Sequence, residues 1–305
     1  MLQMPPGVTL FERGWLSSNN ILCIGRAQCA LVDSGYHSHA AQTVALVEAA
    51  LAGRALDRLV NTHLHSDHCG GNAALQARWP ALQTWVPPGQ AELVRTWDET
   101  GLSYAPTGQT CGRFALTDVL VPGAWVRLGD ADWQVHAAPG HDPHSVILFE
   151  PVSRTLISAD ALWEKGFGVI FPELDGVPAW DEVGATLDLI ERLQPRLVLP
   201  GHGAAFSGVA EALAFARNRL EGFRRDPRKH AVHAAKVLVK FKLLEWQRVP
   251  VATFDTWAAD AALIRRVHAT HFGAQPLLQW AHALVQDLMR VGAAAREGDC
   301  LVDAG

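Results

Sequence analysis

Residues 61–71 read Asn61-Thr62-His63-Leu64-His65-Ser66-Asp67-His68-Cys69-Gly70-Gly71, placing three imidazoles and a carboxylate within six residues. Leu59 and Val60 before them continue an apolar run that reads as a strand. Gly70-Gly71 supplies a sharp turn, and Asn72 to Arg78 has helical spacing. The cluster therefore sits in a loop held by regular structure on both sides. Residues two apart on an extended chain point the same way, so His63 and His65 can reach one point together. Asp67 and His68 follow where the chain turns and face a second point nearby. Neutral imidazole and carboxylate are ligands for zinc, and for iron or manganese in harder sites.

Outward toward the N-terminus, Ala30-Leu31-Val32 is a strand that stops at Asp33-Ser34-Gly35. Ser38 caps a helix running to about Leu51, and Arg58 to Thr62 is the next strand. This βαβ unit delivers the cluster at the carboxyl end of its second strand, the end at which α/β sites gather. Toward the C-terminus the same event recurs. Trp133 to His136 alternates like a half-buried strand and leads into Gly140-His141-Asp142-Pro143-His144-Ser145. Thr155 to Ser158 ends in Asp160, and Leu197 to Leu199 runs into Gly201-His202-Gly203. Apolar strands thus stop at Asp33, at the 63–68 cluster, at His141, at Asp160 and at His202. A sheet brings such ends to a common edge, so the convergence has a mechanical cause. Residues 98–118 are polar, irregular and long for a plain connection, which predicts a lid or rim over the site.

The ordered set resembles the metallo-β-lactamase superfamily, from about Gly25 to Gly203, roughly two thirds of the chain. The resemblance implies an α+β chain folded as an αβ/βα four-layer sandwich with two divalent metal ions at one edge. Zinc is the expected ion, with iron or manganese as alternatives. By resemblance, His63, His65 and His141 hold the first metal, Asp67, His68 and His202 hold the second, and Asp160 bridges them. Asp33 orients a liganding imidazole, and Asp67 and Asp160 are the catalytic carboxylates. His68 after Asp67, together with Asp160, points away from typical β-lactamases and toward glyoxalase II-like hydrolases. Two cations beside one water lower its pKa from about 15.7 toward neutrality and polarise a substrate carbonyl, so the implied reaction is hydrolysis of a thioester or related carboxylic ester. Relatives with this ligand set also cleave lactones or RNA phosphodiesters, and some oxidise persulfides. An endoribonuclease, a lactonase and a non-catalytic regulator are therefore the alternative readings.

Several residues around this set have two readings. His144 either contacts substrate or shapes the turn after His141. The loop after Asp160 carries Trp163, Lys165, Phe167 and Phe171; the aromatics either meet an apolar acyl group or cover core, and Lys165 could meet an anion.

The whole chain sets the frame. Its 305 residues are 49% hydrophobic and 19% charged, enough core for one large domain with an appendage. We expect a catalytic domain over 1–224 and a helical domain over 225–305 that resembles the winged-helix-like tail of some members of this superfamily. Helices are predicted over Val209 to Phe223, Lys229 to Glu245, Ala258 to Val267 and Leu277 to Val291, with a strand-like ending over Ala293 to Val302. Arg217 to Lys242 holds nine basic and two acidic residues in a chain of net charge −5. That segment either meets an anionic ligand or is a solvated surface, and the acidic remainder disfavours nucleic acid. Five scattered cysteines without a CxxC pair exclude a zinc ribbon or disulfide framework, and Cys69 reads as a small buried residue. Without a signal-like start or a membrane-length apolar run, the expectation is a cytoplasmic protein with a small-molecule substrate, no membrane partner, and a second copy of the chain as a candidate partner.

Overall fold

In the computed structural model, which describes residues 4–304, successive residues of the early strands divide their apolar side chains between two faces. The first sheet runs in chain order: β1 (Val8–Phe11), β2 (Asn20–Ile24), β3 (Cys29–Val32), β4 (Arg58–Val60), β5 (Gln83–Val86) and β6 (Asp118–Val119). Its first two pairings are antiparallel and the rest parallel. The second sheet has the order β11-β10-β9-β8-β7, with β7 (Trp125–Leu128), β8 (Ala131–Ala137), β9 (Val146–Glu150), β10 (Thr155–Ala159) and β11 (Leu197–Pro200). Only β10 and β11 run parallel there.

Alternation sends Ile21, Cys23, Val32 and Val60 of one sheet against Val126, Trp133, Val135, Leu148 and Ile157 of the other, forming the central core. The intervening positions Leu22, Leu31 and Leu59 face outward and meet Val47 and Leu51 of α1 (Ala40–Leu51). On this side of the sandwich lie also α2 (Ser66–Cys69), α3 (Asn72–Arg78), α4 (Ala91–Thr96) and α5 (Tyr104–Thr107). A short α6 (Phe171–Leu174) precedes α7 (Trp180–Leu193), whose Val183, Leu187 and Ile190 fall at i, i+4 and i+7. That stripe and Leu213 and Leu220 of α8 (Val209–Arg225) cover Ile147, Phe149, Leu156 and Val198 on the outer face of the second sheet. The result is the expected four layers, helix on sheet on sheet on helix.

The chain then breaks at Asp226-Pro227. Proline fits the first helical position, and the Asp226 side chain accepts a hydrogen bond from the Lys229 backbone N–H at 3.1 Å. Helices α9 (Pro227–Trp246), α10 (Val251–Asp260), α11 (Ala262–His271) and α12 (Leu277–Arg290) follow, with a small sheet in the order β12-β14-β13 formed by Arg248–Pro250, Ala294–Glu297 and Cys300–Asp303. One sequence expectation needs correction here. The helix predicted over Ala258 to Val267 is the end of α10 and the body of α11, broken at Ala261 with φ −63 and ψ 109. No Gly or Pro marks the break. It lets Phe254 and Ala258 on one side, and Leu263, Ile264 and Val267 on the other, enter a single core. That core also takes Val169 and Leu174 from the loop after Asp160, so the C-terminal helices are clamped onto the edge where the strand ends meet.

Candidate metal centre

Each strand end identified in the sequence delivers its side chain to this edge. His63, His65 and His141 form one group, and Asp67, His68, Asp160 and His202 form another; within each, the donor atoms lie within 4.8 Å of one another. Asp160 faces both groups. Its Oδ2 is 3.3 Å from His141 Nε2, while its Oδ1 is 3.4 Å from His68 Nε2 and 3.8 Å from His202 Nε2. Asp67 Oδ2 is 3.1 Å from His202 Nε2 and 3.8 Å from His68 Nε2.

The surrounding bonds fix which nitrogen points inward. His141 Nδ1–H donates to the Val169 carbonyl at 2.5 Å, leaving Nε2 with its lone pair, 2.8 Å from His65 Nδ1. Two imidazole nitrogens converging that closely need a cation or a shared proton between them. Asp33 stands behind the cage: its Oδ2 accepts from His68 Nδ1 at 2.8 Å. It is itself held by the Thr62 backbone N–H at 2.9 Å and the Thr62 hydroxyl at 2.8 Å. Consequently His68 Nε2 faces the cage. Both His63 Nε2 and His68 Nε2 are buried without a hydrogen-bond partner, a cost that folded proteins rarely leave uncompensated. Divalent ions fit these orphaned lone pairs and the carboxylates beside them.

Electrostatics divides the groups in the same way. Burial and neighbouring imidazoles hold His63 well below the usual imidazole range, and burial and His65 bring His141 down to about 4. Burial also opposes charge on His68, but Asp160, Asp33 and Asp67 override it and push that imidazole well above its ordinary value. For Asp160, burial disfavours the carboxylate, yet His68 and His202 keep its pKa well below the usual range. Burial thus favours neutral rings at His63 and His141, while the carboxylates of Asp160, Asp33 and Asp67 surround His68.

Backbone economy keeps the cage tight. A Cβ on Gly201 would lie 2.3 Å from Asp160 Oδ1, and one on Gly168 would lie 2.4 Å from His141 Nδ1. Ala159, immediately before Asp160, sits at φ 46, a left-handed conformation that costs a residue with a Cβ about 1–2 kcal/mol. The stitching from the N-terminal loop carries no signal in the sequence. Asn19 donates through Nδ2 to the carbonyls of Pro200 and Gly203 at 3.0 and 2.7 Å, and the Ser18 N–H donates to the Asp67 carbonyl at 2.9 Å.

The cage opens into a cavity of about 560 Å³. Trp163, Lys165 and Phe171 line it, as one reading of their loop expected. Trp163 Nε1–H also donates to Asp160 Oδ1 at 3.3 Å, and Phe171 packs edge-on against His65 and His141, with centroids 4.9 and 5.6 Å away. Phe167 and His144 do not line the cavity. Phe167 is 2% exposed in the core beneath α7 and α8, because its position in the loop faces the sheet rather than the cage. His144 is exposed and its ring lies against Gly89, while its backbone N–H donates to Asp142 at 2.7 Å. The 98–118 stretch does contribute a rim through Ser103, Thr107 and Gln109. It is anchored rather than loose: Leu102, Tyr104 and Phe114 are buried, and the Tyr104 hydroxyl donates to the Leu64 carbonyl at 3.0 Å. Cys69 is buried there, 3.8 Å from Cys111 Sγ and 3.1 Å from the Tyr104 hydroxyl.

Other lining residues were not legible in the sequence. Trp15 stacks on the His202 ring at 5.4 Å and 14° while remaining 57% exposed. Arg219 of α8 donates to His233 Nε2 at 2.6 Å and lies over the rings of Phe167 and Phe223. Among the described residues it meets no carboxylate. From α9 come Lys236, Val237, Leu238, Lys240, Phe241 and Leu244.

A two-sheet sandwich carrying this cage of imidazoles and carboxylates at its edge defines a metal-dependent hydrolase. Residues 13–202 match the family described as the Metallo-beta-lactamase superfamily, and the chain belongs to it. It is 32% identical over 261 residues to a hydroxyacylglutathione hydrolase of Anaeromyxobacter dehalogenans, covering 84% of this chain and 90% of that protein. A hydroxyacylglutathione hydrolase of Brucella anthropi is 28% identical over 176 residues, covering 55% of this chain and 54% of that protein, so there the chain matches about half of its relative's length. Among solved structures, a beta-lactamase domain protein from Burkholderia ambifaria superposes with a TM-score of 0.59 at 20% identity, covering 100% of this chain and 94% of that one. The fold extends along the whole chain in that comparison. No helix among the described residues is long and apolar enough to cross a membrane.

Proposed function

We propose that the protein is a binuclear hydrolase of thioester or related carboxylic ester bonds, of the hydroxyacylglutathione hydrolase kind, with zinc as the resident ion. The observation that carries this reading is Asp160, whose two oxygens face the two ligand groups separately. His63, His65 and His141 would hold one ion and Asp67, His68 and His202 the other, with Asp160 between them. Divalent ions held there lower the pKa of a water and polarise the substrate's carbonyl oxygen.

The chain's own residues do the rest. Asp33 fixes the ring of His68, and the Val169 carbonyl fixes that of His141, so neither must reorganise during turnover. Trp163 holds Asp160 by its indole N–H. Asp67 has the more exposed of the two cage carboxylates, 15% against 7% for Asp160, and it is placed to carry a proton to the departing thiol. Trp15, Trp163 and Phe171 exclude water from the mouth. At the rim, Lys165 and Arg219 give the thiol carrier's anionic groups a landing point.

We also read 225–305 as a winged-helix-like domain. Its helix, strand, helices, strand, strand order, with the last strand between the other two, supports that reading. Here it serves as the cavity's second wall.

The test is hydrolysis by zinc-loaded protein, read as thiol release from S-lactoylglutathione and acyl-coenzyme A, ring opening of a lactone, and cleavage of single-stranded RNA. Free thiol should appear with the thioesters and be lost in Asp67→Asn, whose circular dichroism should remain native. RNA cleavage without thiol release would replace the reading with that of a nuclease.

A further inference from the structure

The wall opposite the cage is apolar along a line. Val237, Phe241 and Leu244 of α9 fall at i, i+4 and i+7, so they form one stripe, and Leu288 of α12 extends it. Phe171, packed on His65 and His141 at one end and on the C-terminal core at the other, joins the cage to this wall. The cations beside the stripe are matched within the fold. Lys236 pairs with Asp287 at 2.5 Å, and Lys240 pairs with Asp303 at 2.6 Å. Arg219, by contrast, rests on neutral acceptors, His233 Nε2 and the Lys165 carbonyl. The cavity is therefore cationic at one end, where Arg219 and Lys165 lie by His233 of α9, and apolar onward along Val237, Phe241 and Leu244.

Size sharpens the point. About 560 Å³ falls among pockets that enclose drug-sized ligands, and with the carrier at Arg219 and Lys165 an acyl group of two or three carbons would leave the stretch along α9 holding water against apolar walls.

Resting on the thioester reading above, we infer that the acyl group of the substrate is an extended apolar chain or ring, laid along Val237, Phe241, Leu244 and Leu288, rather than a small hydroxyacyl group. The scissile carbonyl sits at the cage, the thiol carrier leaves toward Arg219, and the acyl tail runs along α9.

Two measurements on the metal-loaded full chain test this. The first is calorimetric binding of S-octylglutathione and S-methylglutathione, thioethers that cannot be cleaved. Each methylene fully removed from water is worth about fourfold, so a partly covered octyl chain should bind on the order of 30-fold tighter than methyl. The second is kcat/KM for S-octanoylglutathione against S-lactoylglutathione, expected to favour octanoyl by about tenfold or more. Val237 is 37% exposed, so Val237→Asp should fold while placing a charge in the path of the chain. In that variant the octyl-to-methyl preference should fall to about threefold or less. Leu244→Gln should reduce it in the same direction. Equal binding of the two thioethers, or a preference untouched by both substitutions, would overturn the inference. Tight octyl binding without cleavage of any thioester would sink the hydrolase reading and leave the apolar subsite. Cleavage of the lactoyl ester without an octyl preference would do the reverse.

Discussion

On one wall of the cavity, side chains from successive strand ends converge through short polar contacts: Asp33 on His68, Val169 on His141, and Asp160 facing both ligand groups. On the other, a single helix offers Val237, Phe241 and Leu244, with its lysines tied to Asp287 and Asp303. The cage wall is directional. Asp33 and the Val169 carbonyl fix the ring orientations of His68 and His141, because buried polar groups are costly to leave unpaired. The helical wall is shaped by area and position, which many apolar sequences could supply. On the proposed reading the chemistry belongs to the first wall and substrate choice to the second, and substitutions in the two should fail differently.

Asp160→Ala should have the largest effect. Losing the carboxylate between the groups should lower turnover by about 1,000-fold, with metal content by mass spectrometry falling and the circular dichroism spectrum native. Retained turnover would remove the bridging role altogether. Asp33→Asn keeps the shape and tolerates the left-handed φ of 57, but it removes the charge behind His68. A loss of about 10- to 100-fold in metal affinity or activity is expected, measured by competition with a chromogenic chelator. At the cationic rim, Arg219→Met should raise KM about tenfold for an anionic thiol carrier while leaving kcat within about twofold. A fall in kcat instead would move Arg219 into the chemistry.

The smallest effect concerns pH and the clamp between the walls. His230 Nε2 accepts the Ile170 N–H at 3.2 Å, and His233 Nε2 accepts from Arg219, so both bonds need neutral rings. Burial, with Arg219 beside both rings, brings His230 down to about 4 and His233 to about 3. The unfolded imidazoles take up protons first, near 6.5. The stability from these neutral rings is thus fully present above about 6.5 and is lost as the pH falls from there toward 4 and then 3. A Tm lower by a few degrees at pH 5 than at pH 7.5 is expected, and His233→Gln should flatten that slope. An identical slope in the variant would place the pH sensitivity elsewhere.

Residues His63 to His68 declare themselves because metal ligands need rare residue types at fixed spacing, and a period-two strand before them sets their direction. His141, Asp160 and His202 were legible for a related reason: each follows a short apolar run whose end must lie at a sheet edge. For Asp33 the resemblance implied only that it orients some liganding imidazole; that the ring is His68 is visible in the structure alone. Phe167 and Phe171 show the limit. Both are aromatic and four residues apart in one loop, yet one is core and the other touches the cage imidazoles. Nothing local distinguishes them, because the fate of an apolar side chain depends on what packs above it.

The sequence by itself determined the candidate donors, the layered strand-and-helix order and the chemistry such donors permit, since covalent spacing and side-chain type are local properties. Only the tertiary structure decided that Asp160 presents separate oxygens to two groups, that Trp15 stacks on His202, and that α9 closes the cavity. It also broke the helix at Ala261, where no residue signals a stop. Those outcomes arise from burial and from contacts between segments far apart in the chain, and such terms enter the free energy only once the chain has folded.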